Sequence, residues 1–298
     1  MDILKPNIRF YTVATSNKGY LDSLRYTLPQ IEILGEGKPW RGYISKLEYL
    51  EGRLSQLEQL AEDPDELIVF TDAYDVLFNV QHHTVSQLID EFNSFNVDIL
   101  FSVIDYSQYS FFEKYYVEKL FYGIRTYKSE YICNGGLFMG KRKSLLAFVQ
   151  TLLLENERLS NSQELDDDRL INRSIIAYST KCSNDDCTSL TFKYCDQIKI
   201  GLDIEQRIFH NHLAGRVADK VFFNTYKPPI DIMESKSFFY HFIANQNVDH
   251  ICKRYNIPLS KNVINSKFNK FKHYISYFYF ELITLTIILT FFVFYIFK

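Results

Sequence analysis

Phe70-Thr71-Asp72-Ala73-Tyr74-Asp75-Val76 is the stretch on which the reading of this chain turns. It closes the apolar run Leu67-Ile68-Val69-Phe70. A short apolar run with β-branched residues predicts a buried strand, and buried strands suit a parallel sheet. Two carboxylates then stand where that strand ends. Ligands of open α/β sheets bind outside the carboxyl ends of strands. Asp72 and Asp75, at that lip, can hold a hard divalent cation through oxygen. The plainer reading is an Asp-rich turn whose side chains bond the backbone.

Outward from this strand the pattern alternates. Ile8 to Thr15 and Ile31 to Leu34 read as strands, with a short helix from Gly19 to Leu28 between them. Gly35 to Pro39 reads as a turn. From Ile44 to Leu60 the residues Leu47, Leu50, Leu54, Leu57 and Leu60 recur at helical spacing and predict one apolar face. Val85 to Phe92 reads as a helix, Asp98 to Val103 as a buried strand, Phe138 as part of a strand, and Ser144 to Leu159 as a helix. Strands alternating with helices predict an α/β sheet with right-handed crossovers.

The chain has 298 residues, 47% of them hydrophobic, with a formal net charge of −3. That supports a large core. Without a basic stripe, nucleic acid is not an expected partner. The five cysteines include no CxxC pair, so a structural zinc site is not expected. Cys182, Cys187 and Cys195 are close enough for one disulfide and a spare. The N-terminus lacks the pattern of a signal peptide. Leu282 to Phe297 is almost wholly apolar and follows an aromatic flank from Tyr274 to Phe280, with Glu281 between. Counted from Ile275, it approaches the ~20 residues that a bilayer requires. The expected organisation is a folded domain over 1–260, a basic linker over 261–273 and a transmembrane anchor over 274–298.

Three further constellations carry chemistry. Cys133-Asn134-Gly135-Gly136 places two glycines before a strand, where backbone can approach a ligand closely. Glu164-Leu165-Asp166-Asp167-Asp168 reads equally as the acidic start of a helix or as a catalytic cluster. His241, after the apolar Phe238-Phe239-Tyr240, can complete a metal shell, although a lone histidine there is more often structural. Asn172-Arg173-Ser174 is a glycosylation sequon.

The Asp pair has the layout of the metal site of nucleotide-sugar glycosyltransferases. With the order TVAT, GEGKPWRG, FTDAYDV, LFSV, CNGGLFMG, LDDDRL, LDIEQRIFHN and FFYHF, residues 8–257 resemble the glycosyltransferase domain of the procollagen lysyl hydroxylases. The resemblance implies a GT-A fold, a mixed central sheet flanked by helices, that binds a UDP-sugar through Mn²⁺. It implies Asp72, Asp75 and His241 as metal ligands. Thr12, Val13 and Tyr74 would contact uridine and Trp40 would line the nucleotide pocket. The family's Gly-rich, lysine-ending loop after WRG is missing, and Tyr43-Ile44-Ser45-Lys46 stands in its place, with Lys46 the candidate replacement for its lysine. Asn134, Asp167 and Asp168 would lie near the transferred sugar. Val103-Ile104-Asp105 stands where the family carries a glutamate and Cys-Trp-Pro, and no His-x-Asp iron motif occurs.

The expectation is therefore a membrane-anchored, Mn²⁺-dependent enzyme moving a hexose from UDP-glucose or UDP-galactose to a hydroxyl. The acceptor is a protein or glycan, hydroxylysine or collagen-like protein among them. The alternative is a catalytically silent UDP-sugar-binding or scaffold protein that kept the fold. The lipid bilayer is an expected partner, in an endomembrane of the ER/Golgi type or a viral membrane. Lys267, Lys270 and Lys272 precede the anchor and Lys298 alone follows it, which places the domain on the cytosolic side. The resemblance implies the lumen instead.

Overall fold

The computed structural model describes residues 7–60, 62–105, 131–159, 167–181, 191–195, 197–212, 228–243, 246–259, 286 and 290. The chain divides into two units, Met1–Ala214 with Lys227–Val263 and Gly215–Tyr226 with Ile264–Lys298. Every element named below belongs to the first. In the second only Thr286 and Thr290 are described. The linker and the expected anchor otherwise lie outside the described residues. Among those described, no helix is long and apolar enough to cross a membrane.

The expected α/β class is what forms: a mixed sheet flanked by helices. β1 (Ile8–Val13) pairs in parallel with β2 (Ile31–Leu34) on one side and β3 (Leu67–Thr71) on the other. The crossovers are α1 (Leu21–Thr27) and α2 (Ile44–Gln59). β3 pairs antiparallel with β6 (Tyr131–Lys141), which pairs antiparallel with β5 (Ile99–Asp105). β9 (Ile198–Leu202), β8 (Thr191–Tyr194) and β7 (Ser179–Lys181) complete the sheet in the order β2-β1-β3-β6-β5-β9-β8-β7. β4 (Val76–Phe78), β10 (Phe209–Asn211) and β11 (Phe239–His241) form a second, small sheet. The remaining helices are α3 (Val85–Ser94), α4 (Arg142–Leu159), α5 (Asp167–Tyr178) and α6 (Asp249–Arg254).

Alternation along β1 and β3 sorts two apolar layers. Tyr11, Val13, Ile68 and Phe70 face α2 and α4, joining Leu47, Leu50, Leu54, Leu57 and Leu145. Phe10, Leu67 and Val69 face the opposite layer with Val76, Leu88, Phe92 and Phe239. Each leucine so buried contributes about 1.5–3 kcal/mol. Leu60 departs from the predicted stripe. It is the residue after the last turn of α2 and is 69% exposed, because the helix ends before its side chain returns to the core face.

Two boundaries also differ from the sequence expectation. Asn134-Gly135-Gly136 lies inside β6 rather than ahead of it, opposite an irregularity between Phe101 and Ser102 of β5. α4 starts at Arg142, whose buried guanidinium bonds the carbonyls of Glu62 and Asp63 and the carboxylate of Glu58. Of the cysteines considered for a disulfide, Cys182 and Cys187 lie outside the described residues. Cys133 and Cys252 are buried.

Candidate metal and sugar-nucleotide site

β3 ends at Thr71, and the chain turns through Asp72-Ala73-Tyr74-Asp75 before entering β4 in the small sheet. This turn is where the two sheets exchange the chain. Its start is fixed by the Asp72 N–H, which donates to the Gly136 carbonyl at 2.6 Å. Its end is fixed by the Phe242 N–H, which donates to the Asp75 carbonyl at 2.8 Å. In the small sheet His241 stands in register with Val76, the residue after Asp75. The ladder thus places the imidazole beside both carboxylates. His241 Nε2 lies 3.4 Å from Asp75 Oδ1 and 3.7 Å from Asp72 Oδ2.

One ligand atom from each of Asp72, Asp75 and His241 falls within 4.8 Å of the other two. Two carboxylate oxygens and an imidazole nitrogen form a donor set that suits a divalent ion of the Mn²⁺ kind. His241 Nδ1 meets Asn211 Oδ1 at 2.9 Å on its far side, which leaves Nε2 for the carboxylates. Burial pulls the imidazole pKa down, but Asp75 and then Asp72 override it, and the net direction is upward. Metal and proton therefore compete for this nitrogen. Gly136 closes the group: a Cβ there would meet His241 Cε1 at 2.6 Å and Asp72 Oδ2 at 2.7 Å.

The remaining expected residues divide into those gathered here and those elsewhere. Lys46, on the first turn of α2, reaches Asp72 Oδ1 at 2.6 Å and Asp167 Oδ2 at 2.8 Å. Burial opposes its charge, yet Asp167 and Asp72 hold its pKa well above the ordinary lysine value. It is thus paired with Asp72, a member of the candidate metal group, and with Asp167 beside it. Asp167 and Asp168 both lie in the first turn of α5, as the helix-start reading expects. Their carboxylates also meet Lys46 and the Gly135 N–H, beside the metal candidates. The Gly135 N–H donates to the Asp168 carboxylate, and the Gly136 N–H donates to Asn134 Oδ1 at 3.1 Å.

Tyr74 packs on the loop after β1. Its hydroxyl donates to the Ser16 carbonyl at 3.2 Å, and the Lys18 ammonium lies 4.7 Å from its ring centre. Thr12 and Val13 are buried within β1, and the Thr12 hydroxyl has no hydrogen-bond partner among the described residues. Trp40 lies on the loop before α2, 46% exposed, and meets Tyr43 edge-on with ring centres 6.0 Å apart. The Tyr43 ring in turn lies 5.4 Å from the Lys46 ammonium.

The sequon's Asn172 has an internal role in the fold. It is 4% exposed, and its amide accepts from the Cys133 N–H and donates to the carbonyls of Cys133 and Asp168. Ser174 is bonded to the Tyr194 hydroxyl. In the folded chain this asparagine ties α5 to β6 and offers no glycan acceptor. Asn211 and the crowding at Gly136 were not foreseen from sequence. The IFHN motif that contains Asn211 was part of the family pattern, but nothing in it marks the asparagine as a partner of His241.

Residues 4–227 match the model of a family described as the PLOD GT domain. Over 238 residues the chain is 26% identical to the multifunctional procollagen lysine hydroxylase and glycosyltransferase of Caenorhabditis elegans. That alignment covers 72% of this chain and 27% of the relative, so the chain spans about a quarter of that protein's length. Among solved structures, a glycosyltransferase involved in glycosylation of the major capsid of PBCV-1 superposes with a TM-score of 0.47 and 8% identity, covering 84% of this chain and 99% of that one. The galactosyltransferase LgtC, with donor and acceptor sugar analogues, gives a TM-score of 0.39 and 12% identity over 79% of this chain and 87% of its own. The family match spans most of the described domain and contains the Asp pair, Asn134 and the α5 acids, and this chain belongs to the PLOD GT domain family of glycosyltransferase domains.

Proposed function

We propose that this chain is a GT-A-type hexosyltransferase using UDP-glucose or UDP-galactose as donor and a hydroxyl as acceptor. The observation that carries the reading is the convergence of Asp72, Asp75 and His241 at the junction of the two sheets. Mn²⁺ held by these residues would neutralise the diphosphate of the leaving group as a Lewis acid and template. The bond from the sugar's anomeric carbon to the β-phosphate oxygen breaks, its electron pair leaving with UDP. The acceptor oxygen bonds that carbon, and its proton passes to the β-phosphate oxygen of the departing UDP.

The chain's own side chains fill the other roles. Lys46 ties Asp72 to Asp167, so the metal group and the α5 acids form one charged unit. Asp167 and Asp168 would hold sugar hydroxyls, with Asn134 shaping the strand beside them. Trp40 and Tyr74 offer aromatic faces for the uracil. The name of the C. elegans relative, a procollagen lysine hydroxylase and glycosyltransferase, supports a procollagen acceptor, and hydroxylysine in a collagen-like protein is the proposed acceptor.

The test is a donor screen. The purified chain is mixed with MnCl₂ and each of several UDP-, GDP- and CMP-sugars, and released nucleotide is measured, beside Asp75→Ala. UDP release from UDP-glucose or UDP-galactose, abolished in the variant, is the expected result. Release only from a GDP- or CMP-sugar rejects the donor. Binding of UDP-sugar without turnover on any acceptor offered favours the catalytically silent alternative.

A further inference from the structure

Asn211 lies at the end of β10, next to β11, which carries His241. Its side chain is buried and doubly engaged. Nδ2 donates to the Val103 carbonyl of β5 at 2.8 Å, and Oδ1 lies 2.9 Å from His241 Nδ1. The first bond decides the second. A carbonyl can only accept, so the amide nitrogen must face Val103 and the amide oxygen must face His241. An amide oxygen can also only accept, so His241 Nδ1 must carry a proton. In the neutral ring Nε2 is then the unprotonated nitrogen, and Nε2 is the atom facing Asp72 and Asp75.

The backbone leaves the ring little other freedom. The His241 carbonyl accepts from the His212 N–H at 2.8 Å, and the next residue's N–H is bonded to Asp75. Strand pairing therefore fixes where the ring starts, and Asn211 fixes which nitrogen it presents. The Val103 bond also joins the large sheet, which supplies Asp72, to the small sheet, which supplies His241.

We infer that Asn211 is a positioning residue that holds His241 as the Nδ1–H tautomer, with the Nε2 lone pair directed into the carboxylate pair. The consequence for metal affinity rests on the metal reading above; the tautomer does not. Outer partners of ligating histidines are typically worth 10- to 100-fold in metal affinity.

Two measurements separate these levels. The tautomer is read by two-dimensional ¹⁵N–¹H NMR on the ¹⁵N-histidine-labelled chain without metal, above the pH at which His241 loses its proton. A protonated Nδ1 and bare Nε2 is the expected pattern, and a protonated Nε2 overturns the inference whatever the metal does. Calorimetry with MnCl₂ alone then compares wild type with Asn211→Leu and Asn211→Asp, folding being checked by circular dichroism. Asn211→Leu should bind Mn²⁺ 10- to 100-fold more weakly, with mixed His241 tautomers. Asn211→Asp keeps an acceptor for Nδ1–H and should retain the tautomer and more of the affinity. Equal tautomers and equal affinities in all three chains would overturn the positioning role. A wild-type chain with the expected tautomer that ignores Mn²⁺ upholds the lock and rejects the metal reading instead.

Discussion

A methyl group at position 136 would stand inside the candidate metal site, within 3 Å of both His241 and Asp72. Gly136→Ala should therefore displace a ligand. We expect Mn²⁺ affinity to fall at least about tenfold, the worth of disturbing one coordinating group. Gly52→Ala is the control: it lies within α2 with no atom near a new Cβ, and alanine there should stabilise the chain by about 0.5–1 kcal/mol. Calorimetry with MnCl₂ and urea unfolding on both variants check the pair, and unchanged affinity in Gly136→Ala would show that the glycine is conformational only. At this scale much of the site was readable. Asp72 and Asp75 announce themselves by standing at a strand end, and the two glycines announce a close approach. Sequence could not say that the close approach is to Asp72 and His241, because the contact with His241 joins residues 105 positions apart in the chain (136 to 241). Asn211 was hidden for the same reason, since its role is set entirely by what lies across the two sheets.

Arg142 shows how an element boundary is held. It is the first residue of α4, is 1% exposed, and fills the turn before β3 with bonds to the Glu62 and Asp63 carbonyls. Its own N–H donates to the Glu66 carbonyl at 2.8 Å. Arg142→Ala leaves two carbonyls without their donor and a space where a long buried side chain stood. The expected cost is about 2–4 kcal/mol, read as a lower urea midpoint at unchanged slope; a loss under about 0.5 kcal/mol, the scale of an ordinary surface substitution, would mean that water replaces the guanidinium. The long elements were legible because hydrophobic periodicity had room to repeat. The leucine stripe of α2 and the apolar runs of β3 and β5 are of this kind. β4, β10 and β11 span three residues each, too few for any period to show. Yet these three strands deliver Asp75 and His241 to the site. The start of α3 was also more strongly marked than its apolar pattern suggests, since Thr84 and Gln87 cap each other's backbone N–H groups.

The whole domain works as a junction. The large sheet ends β3 at Asp72, the small sheet begins β4 after Asp75, and β11 returns His241 to the same place. A site built where two sheets exchange the chain cannot be deduced from one segment, and it was the order of motifs along residues 8–257 that pointed to it. The membrane expectation belongs to this scale as well, and it falls on residues outside the described ones. Its argument is one of solvation. The run from Leu282 to Phe297 holds no charged residue, and its only side-chain hydroxyls are those of Thr284, Thr286, Thr290 and Tyr295; a helix so poor in polar groups needs lipid or a large core around it. The full-length chain should therefore remain with carbonate-washed membranes, and deletion of 274–298 should release it; a full-length chain found in the soluble fraction would overturn the anchor. The expected cytosolic orientation rests on Lys267, Lys270 and Lys272, which stand just before the run. Protease added to intact membranes should then digest the folded domain, and protection of that domain would place it in the lumen. Glycan on Asn172 cannot serve as the reporter, because its amide is spent inside the fold between Cys133 and Asp168.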